Sequence, residues 1–178
     1  MFLKRTGTGA LVGSALWAAP QVLTAPAAFA AASNDPTWTR RFPTTSPTPR
    51  IAHAMATDAA GNIILNGGAG STGYCGDTWM WDGTTWAQQS TTTSPTPRSG
   101  HTMDTHITGN IVLYGGTDGT GYRGDTWLWN GTTWTESFPT TSPPPRGSHA
   151  MATGAAGNII LYGGVSTSGD LGDTWIWS

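Results

Sequence analysis

The sequence has very little cysteine and very little charge. Cys75 stands alone, so neither an internal disulfide nor a cysteine-based zinc site is available. Asp, Glu, Lys and Arg together make up 10% of the 178 residues, and Lys4 is the only lysine. The net charge of −2 argues against a nucleic-acid partner, because phosphate binding takes clustered Lys and Arg. Reaction signatures are missing too: no nucleophile elbow, HExxH, phosphate loop or dinucleotide fingerprint occurs. No catalytic residue, metal site or cofactor is therefore expected. Past residue 30 no apolar run is long enough to span a bilayer. What is plentiful is Gly, at 25, and Trp, at 10, in a chain 37% hydrophobic, which is too apolar for simple disorder.

Residues 1–30 differ from the rest. Lys4 and Arg5 open the segment, Ala10 to Leu23 is mostly apolar and small, and Ala28-Phe29-Ala30 reads as a cleavage site. That pattern predicts a secretory signal peptide over 1–30 and an exported domain over 31–178, secreted or held at the cell surface. Pro20 and Pro26 interrupt the apolar run and argue against a membrane anchor.

The remainder repeats every 48 residues. Pro-Arg recurs at Pro49-Arg50, Pro97-Arg98 and Pro145-Arg146. Gly pairs recur at Gly67-Gly68, Gly115-Gly116 and Gly163-Gly164, and Gly-Asp-Thr-Trp at Gly76, Gly124 and Gly172. The repeats run approximately over 37–85, 86–133 and 134–178. Fixed periods of this size mark repeat architectures.

Each repeat reads as short strands. The first, from Arg50 to Thr57, places Ile51, His53 and Met55 on one face and Ala52, Ala54 and Ala56 on the other. Ile63-Ile64-Leu65 reads as a strand buried on both faces. Thr78-Trp79-Met80-Trp81 follows, then Asp82-Gly83, which predicts a type I′ hairpin into Thr84-Thr85-Trp86. The expectation is an all-β chain of three four-stranded antiparallel units. A bulky face of each should stack on a small face of its neighbour. The glycine pairs should adopt positive φ and let another backbone come close.

These residues resemble the kelch motif: an apolar strand, a Gly-Gly pair, a Tyr six positions later and a Trp seven after that. Gly67-Gly68, Tyr74 and Trp81 match, as do Gly115-Gly116, Tyr122 and Trp129. The third copy has Asp170 in the Tyr position. The Pro-Arg-x-x-His-x-Met stretch is similar to a bacterial, secreted form of the repeat. The resemblance implies a kelch-type β-propeller with one blade per repeat. Three blades make an incomplete or half propeller, since rings take four to eight.

Residues 37–41, Thr-Trp-Thr-Arg-Arg, look like a lone last strand, similar to those at Trp86 and Trp134. The third repeat stops short of such a strand. One reading is a piece of a longer propeller. The other is a homodimer in which each Trp38 strand completes the partner's third blade, giving six blades.

His53, His101 and His149 recur with the repeat and read as blade packing rather than a metal site. Arg50, Arg98 and Arg146 are expected to pair with Asp77, Asp125 and Asp173, either fixing turns or joining blades. The alternative is a ring of guanidinium groups for an acidic ligand. The copies differ most in the loops after the glycine pairs. Tyr74, Tyr122 and Arg123 are the ligand-binding candidates there. The expected function is non-catalytic recognition of protein or glycan. The alternatives are part of a carbohydrate-active or oxidase-like propeller enzyme, or a self-assembling surface protein.

Overall fold

The computed structural model describes residues 37–178. The leader expected over 1–30 lies outside the described residues. Two units are distinguished, one ending at Arg40 and one spanning Arg41–Ser178. Of the first, residues 37–40 are described. They form no strand, and Trp38 is fully exposed. The last strand expected over 37–41 is thus not formed in the single chain.

All regular elements of the second unit are β-strands. The first sheet has β1 (Ala54–Thr57), β2 (Ile63–Asn66), β5 (Thr78–Trp81) and β6 (Trp86–Gln89) in that spatial order. Between β2 and β5 lies a small hairpin of β3 (Ala69–Gly70) and β4 (Gly73–Tyr74). The second sheet holds β7 (Thr102–Thr105), β8 (Ile111–Tyr114), β9 (Thr126–Trp129) and β10 (Trp134–Ser137). The third holds β11 (Ala150–Thr153), β12 (Ile159–Tyr162) and β15 (Thr174–Trp177), with the hairpin β13 (Val165–Ser166) and β14 (Gly169–Asp170) inserted. All pairings are antiparallel. The first two sheets have four strands as expected, and the third has three among the described residues.

The sheets stack with their first strands closest, β1 against β7 and β7 against β11. The bulky-on-small expectation holds at the first interface. Ala54, Ala56, Ile64 and Met80 of the first sheet meet Met103, Ile111, Leu113, Trp127, Trp129 and Trp134 of the second. Trp129 and Trp134 are completely buried. Each aromatic of this kind removes roughly 150–250 Å² from water. Burial follows position in the stack. Met103, covered by the first sheet, is 7% exposed, whereas its counterpart Met55 is 46% exposed.

Two local expectations are corrected. The first strand does not run straight from Arg50. Ala52 and Ser148 take φ of 52° and 56°, and Gly100 at the same place takes 65°. The left-handed residue breaks the strand before β1, β7 and β11. Its function is a hydrogen-bond ladder between repeats: Gly100 N–H donates to Ala52 O at 2.9 Å, and Ser148 N–H to Gly100 O at 2.8 Å. The β5–β6 turn is also not the two-residue type I′ form. Trp81 pairs with Trp86, which leaves four loop residues. Gly83 alone there has positive φ, and the Asp82 carboxylate accepts the Thr84 and Thr85 N–H groups at 2.9 Å.

Candidate functional site

Each Pro-Arg places a guanidinium in the wall of its own sheet. Arg98 Nη1 and Nη2 donate to Asp125 Oδ1 and Oδ2 at 2.6 and 2.7 Å. Its other donors reach Gly115 O, Thr96 O and Thr96 Oγ1, each at 3.0 Å. All five guanidinium N–H groups are thereby used. Arg50 makes the same set with Asp77, Gly67 and Thr48. Arg146 repeats it with Asp173, Gly163 and Pro144, lacking only the hydroxyl partner. Trp79, Trp127 and Trp175 each donate their indole N–H to the same aspartate. The Asp77 carboxyl is held below its ordinary range, first by the Arg50 hydrogen bond and then by Trp79, against the cost of burial. The expected Arg–Asp pairs are therefore formed, and they fix each repeat internally. Arg50 and Arg98 have no donors left to offer an acidic ligand, and Arg146, one donor short of the full set, is completely buried.

The backbone of the same arginines joins neighbouring sheets. Gly68 N–H donates to Arg98 O at 2.8 Å, and Arg98 N–H to Cys75 O at 3.1 Å. Gly116, Arg146 and Arg123 repeat this at 2.8 and 3.0 Å. The glycine pair is required by that approach. A Cβ on Gly67 would lie 2.7 Å from Arg98 O and one on Gly115 2.5 Å from Arg146 O, both of the next repeat, whereas the second glycine gives room within its own repeat, a Cβ on Gly116 lying 2.8 Å from Ser99 O. Positive φ at both glycines of each pair completes the expected geometry. Cys75, Arg123 and Leu171 share one position, where backbone groups make these bonds, so the side chain is free to vary.

The histidines do not converge on a common point. His149 Nε2 lies 2.6 Å from Thr102 Oγ1 of the preceding sheet. In the first repeat Ala54 stands where the second has Thr102, so His101 lacks that hydroxyl. Burial, with help from Arg98, pulls the His101 pKa down to about 3. Burial and Arg146 pull His149 down to about 4. Among the described residues no three His, Cys, Asp or Glu side chains form a metal-binding group.

The three loop candidates occupy one rim but do different work. Tyr74 is 42% exposed, and its ring lies against Gly119 in the next repeat's loop, 3.2 Å from where a Cβ would stand. Tyr122 lies against Gly147 of the third repeat in the same manner, at 3.4 Å. Arg123 is tied to Asp118 through Nε at 2.5 Å and also through Nη2. Asp118 also accepts from Thr120 N and Oγ1 at 3.1 and 2.8 Å. Arg123 holds this carboxyl far below the usual range. Sequence reasoning missed the Arg123–Asp118 clamp, although Asp118 is an unrepeated acid five residues away. The result is a set of short loops of differing chemistry on a hydrogen-bonded frame.

No helix among the described residues is long and apolar enough to cross a membrane. Antiparallel sheets stacked through their first strands, with one sheet per repeat, define blades of a partial β-propeller. The KLHDC2/KLHL20/DRC7 Kelch-repeats domain matches residues 24–178. The chain belongs to the kelch-repeat family, whose propellers serve as protein-binding modules. A comparison with curated proteins finds no match.

Proposed function

We propose that this chain is an exported, non-catalytic recognition module that binds protein or glycan through the loops after its glycine pairs. One observation carries the reading. The frame residues are the same in every repeat, whereas the loops Ala69 to Cys75, Thr117 to Arg123 and Val165 to Leu171 differ. Loops fixed on a rigid scaffold are where specificity is placed. Tyr74 and Tyr122 supply aromatic surface, and Arg123, ordered by Asp118, keeps part of its guanidinium accessible. We further propose that two copies combine into a six-blade ring, so that the loops of both chains line one rim.

The test is a screen of the purified chain against immobilised glycans and extracellular proteins, repeated with Tyr122→Ala and Arg123→Ala. The reading expects selective signals that fall at least about tenfold in both variants while melting curves stay superimposable. Signals unchanged in both variants would contradict it.

A further inference from the structure

Where the second sheet meets the third, a buried histidine is served by two side chains. His149 Nε2 lies 2.6 Å from Thr102 Oγ1, and the Tyr114 ring meets the imidazole edge-on, with centroids 5.6 Å apart. The Tyr114 hydroxyl in turn donates to Pro143 O. One repeat back, at the first interface, the same places hold different residues. His101 corresponds to His149, Ala54 to Thr102, Asn66 to Tyr114 and Pro95 to Pro143. A methyl and a short amide thus replace a hydroxyl and a phenol. The side-chain volume given up exceeds the roughly 30 Å³ that a water occupies in the liquid.

Asn66 is 1% exposed and His101 3% exposed. Yet neither Asn66 Oδ1 nor either ring nitrogen of His101 has a hydrogen-bond partner among the described residues. The two side chains are neighbours. A Cβ on Gly67 would lie 2.7 Å from His101 Cε1, so the ring sits against the Asn66-Gly67 backbone. The Asn66 backbone carbonyl is near enough to raise the His101 pKa, but it makes no hydrogen bond to the ring. Turning the Asn66 amide does not cure its own shortage. Its Nδ2 donates to Thr78 Oγ1 at 3.0 Å and reaches Asp77 O at 3.4 Å. Reversed, it would set Oδ1 against that carbonyl and leave Nδ2 orphaned instead. Buried polar groups left in this condition are costly, and a bridging water is the usual remedy.

We infer that the first interface contains an internal hydration site, in which a water donates to Asn66 Oδ1 and bonds His101 Nε2, in the place that Tyr114 and Thr102 occupy at the second. The chemistry of the pair selects this guest. Asn66 Oδ1 only accepts, while a neutral imidazole offers one donor and one acceptor. The guest must therefore donate at one end and be able to do either at the other, which water does. A cation is opposed by the Arg98 guanidinium, whose charge already acts on the same ring. The Pro95 carbonyl stands where that of Pro143 accepts from Tyr114, and it offers a third partner. Buried waters commonly have two to four.

The test is crystallographic and uses the full chain. A structure that resolves ordered solvent should show a water within about 2.7–3.2 Å of both Asn66 Oδ1 and His101 Nε2. A dry contact there, or the two side chains bonded directly to each other, overturns the site. In solution, oxygen-17 relaxation dispersion counts long-lived internal waters. Ala54→Thr combined with Asn66→Tyr gives the first interface the second's own pair of side chains. This double variant should hold fewer long-lived waters than the parent, while its near-ultraviolet circular dichroism stays that of the parent. An unchanged count in the folded double variant overturns the assignment. Where the double variant does not fold, the crystal structure of the parent decides alone.

Discussion

At the scale of single residues, three positions carry measurable consequences. Ala52 and Ser148 hold the left-handed conformation that Gly100 holds in the middle repeat. That conformation costs a residue with a Cβ roughly 1–2 kcal/mol. Ser148→Gly should therefore raise stability by about 1 kcal/mol, less the entropy that glycine loses, read as a higher denaturant midpoint. An unchanged or lower midpoint would mean that Ser148 is not strained. His101 and His149 give a pH dependence of defined sign. Both are held neutral in the fold, whereas an unfolded histidine takes its proton near pH 6.5. Above that pH neither state is charged and stability is full. Below it the unfolded chain binds protons that the fold refuses, so stability falls as pH drops toward 4. By pH 5 each histidine should cost about 2 kcal/mol. The melting temperature should fall from pH 7 to pH 5, and His101→Gln should flatten that slope whatever its absolute stability. A flat profile in the parent chain would contradict the assignment.

At the scale of the element, the frame was legible in the sequence because its parts repeat with one period. The glycine pairs, the Arg–Asp pairing and the stacking of a bulky face on a small one all follow from residues spaced by 48. The kink at Ala52 was not legible, because alanine and serine give no sign of positive φ and only Gly100 hints at it. The clamp of Arg123 on Asp118 was hidden for the opposite reason, being present in one copy alone. The β3–β4 and β13–β14 hairpins have two-residue strands, too short for an alternation pattern to show. Two glycines test the frame argument against each other. Gly116 has φ of 94° and Gly131 of 99°, so alanine is conformationally strained at both. At Gly116 the new Cβ would also meet Ser99 O at 2.8 Å, whereas at Gly131 it meets nothing within 4 Å. Gly131→Ala should cost about 1 kcal/mol and Gly116→Ala about 2–4 kcal/mol. Equal losses in urea titration would mean that the close approach of the Ser99 carbonyl within the repeat is not what the second glycine of the pair serves. Arg98→Ala should cost about 3–5 kcal/mol, since it leaves a partly buried Asp125 without its counter-charge. A loss below about 1 kcal/mol would reduce that clamp to an ordinary surface pair.

At the scale of the whole molecule, the middle sheet is the reference for the other two. It has a neighbour on each side, and β8 is buried at every position. Its Arg98 and His101 are likewise enclosed. The outer sheets repeat its sequence but leave large apolar side chains in water, with Ile51 74% and Ile176 63% exposed. Surfaces of that kind on a repeat array call for a neighbour. In the proposed ring a second copy would cover both end faces at once. Closed two-fold pairs are the commonest way for such faces to be covered. The most direct measurement is the mass of the purified chain by light scattering on a sizing column, over a hundredfold range of concentration. A constant mass of twice the single chain is the predicted result. A single-chain mass throughout would contradict the ring.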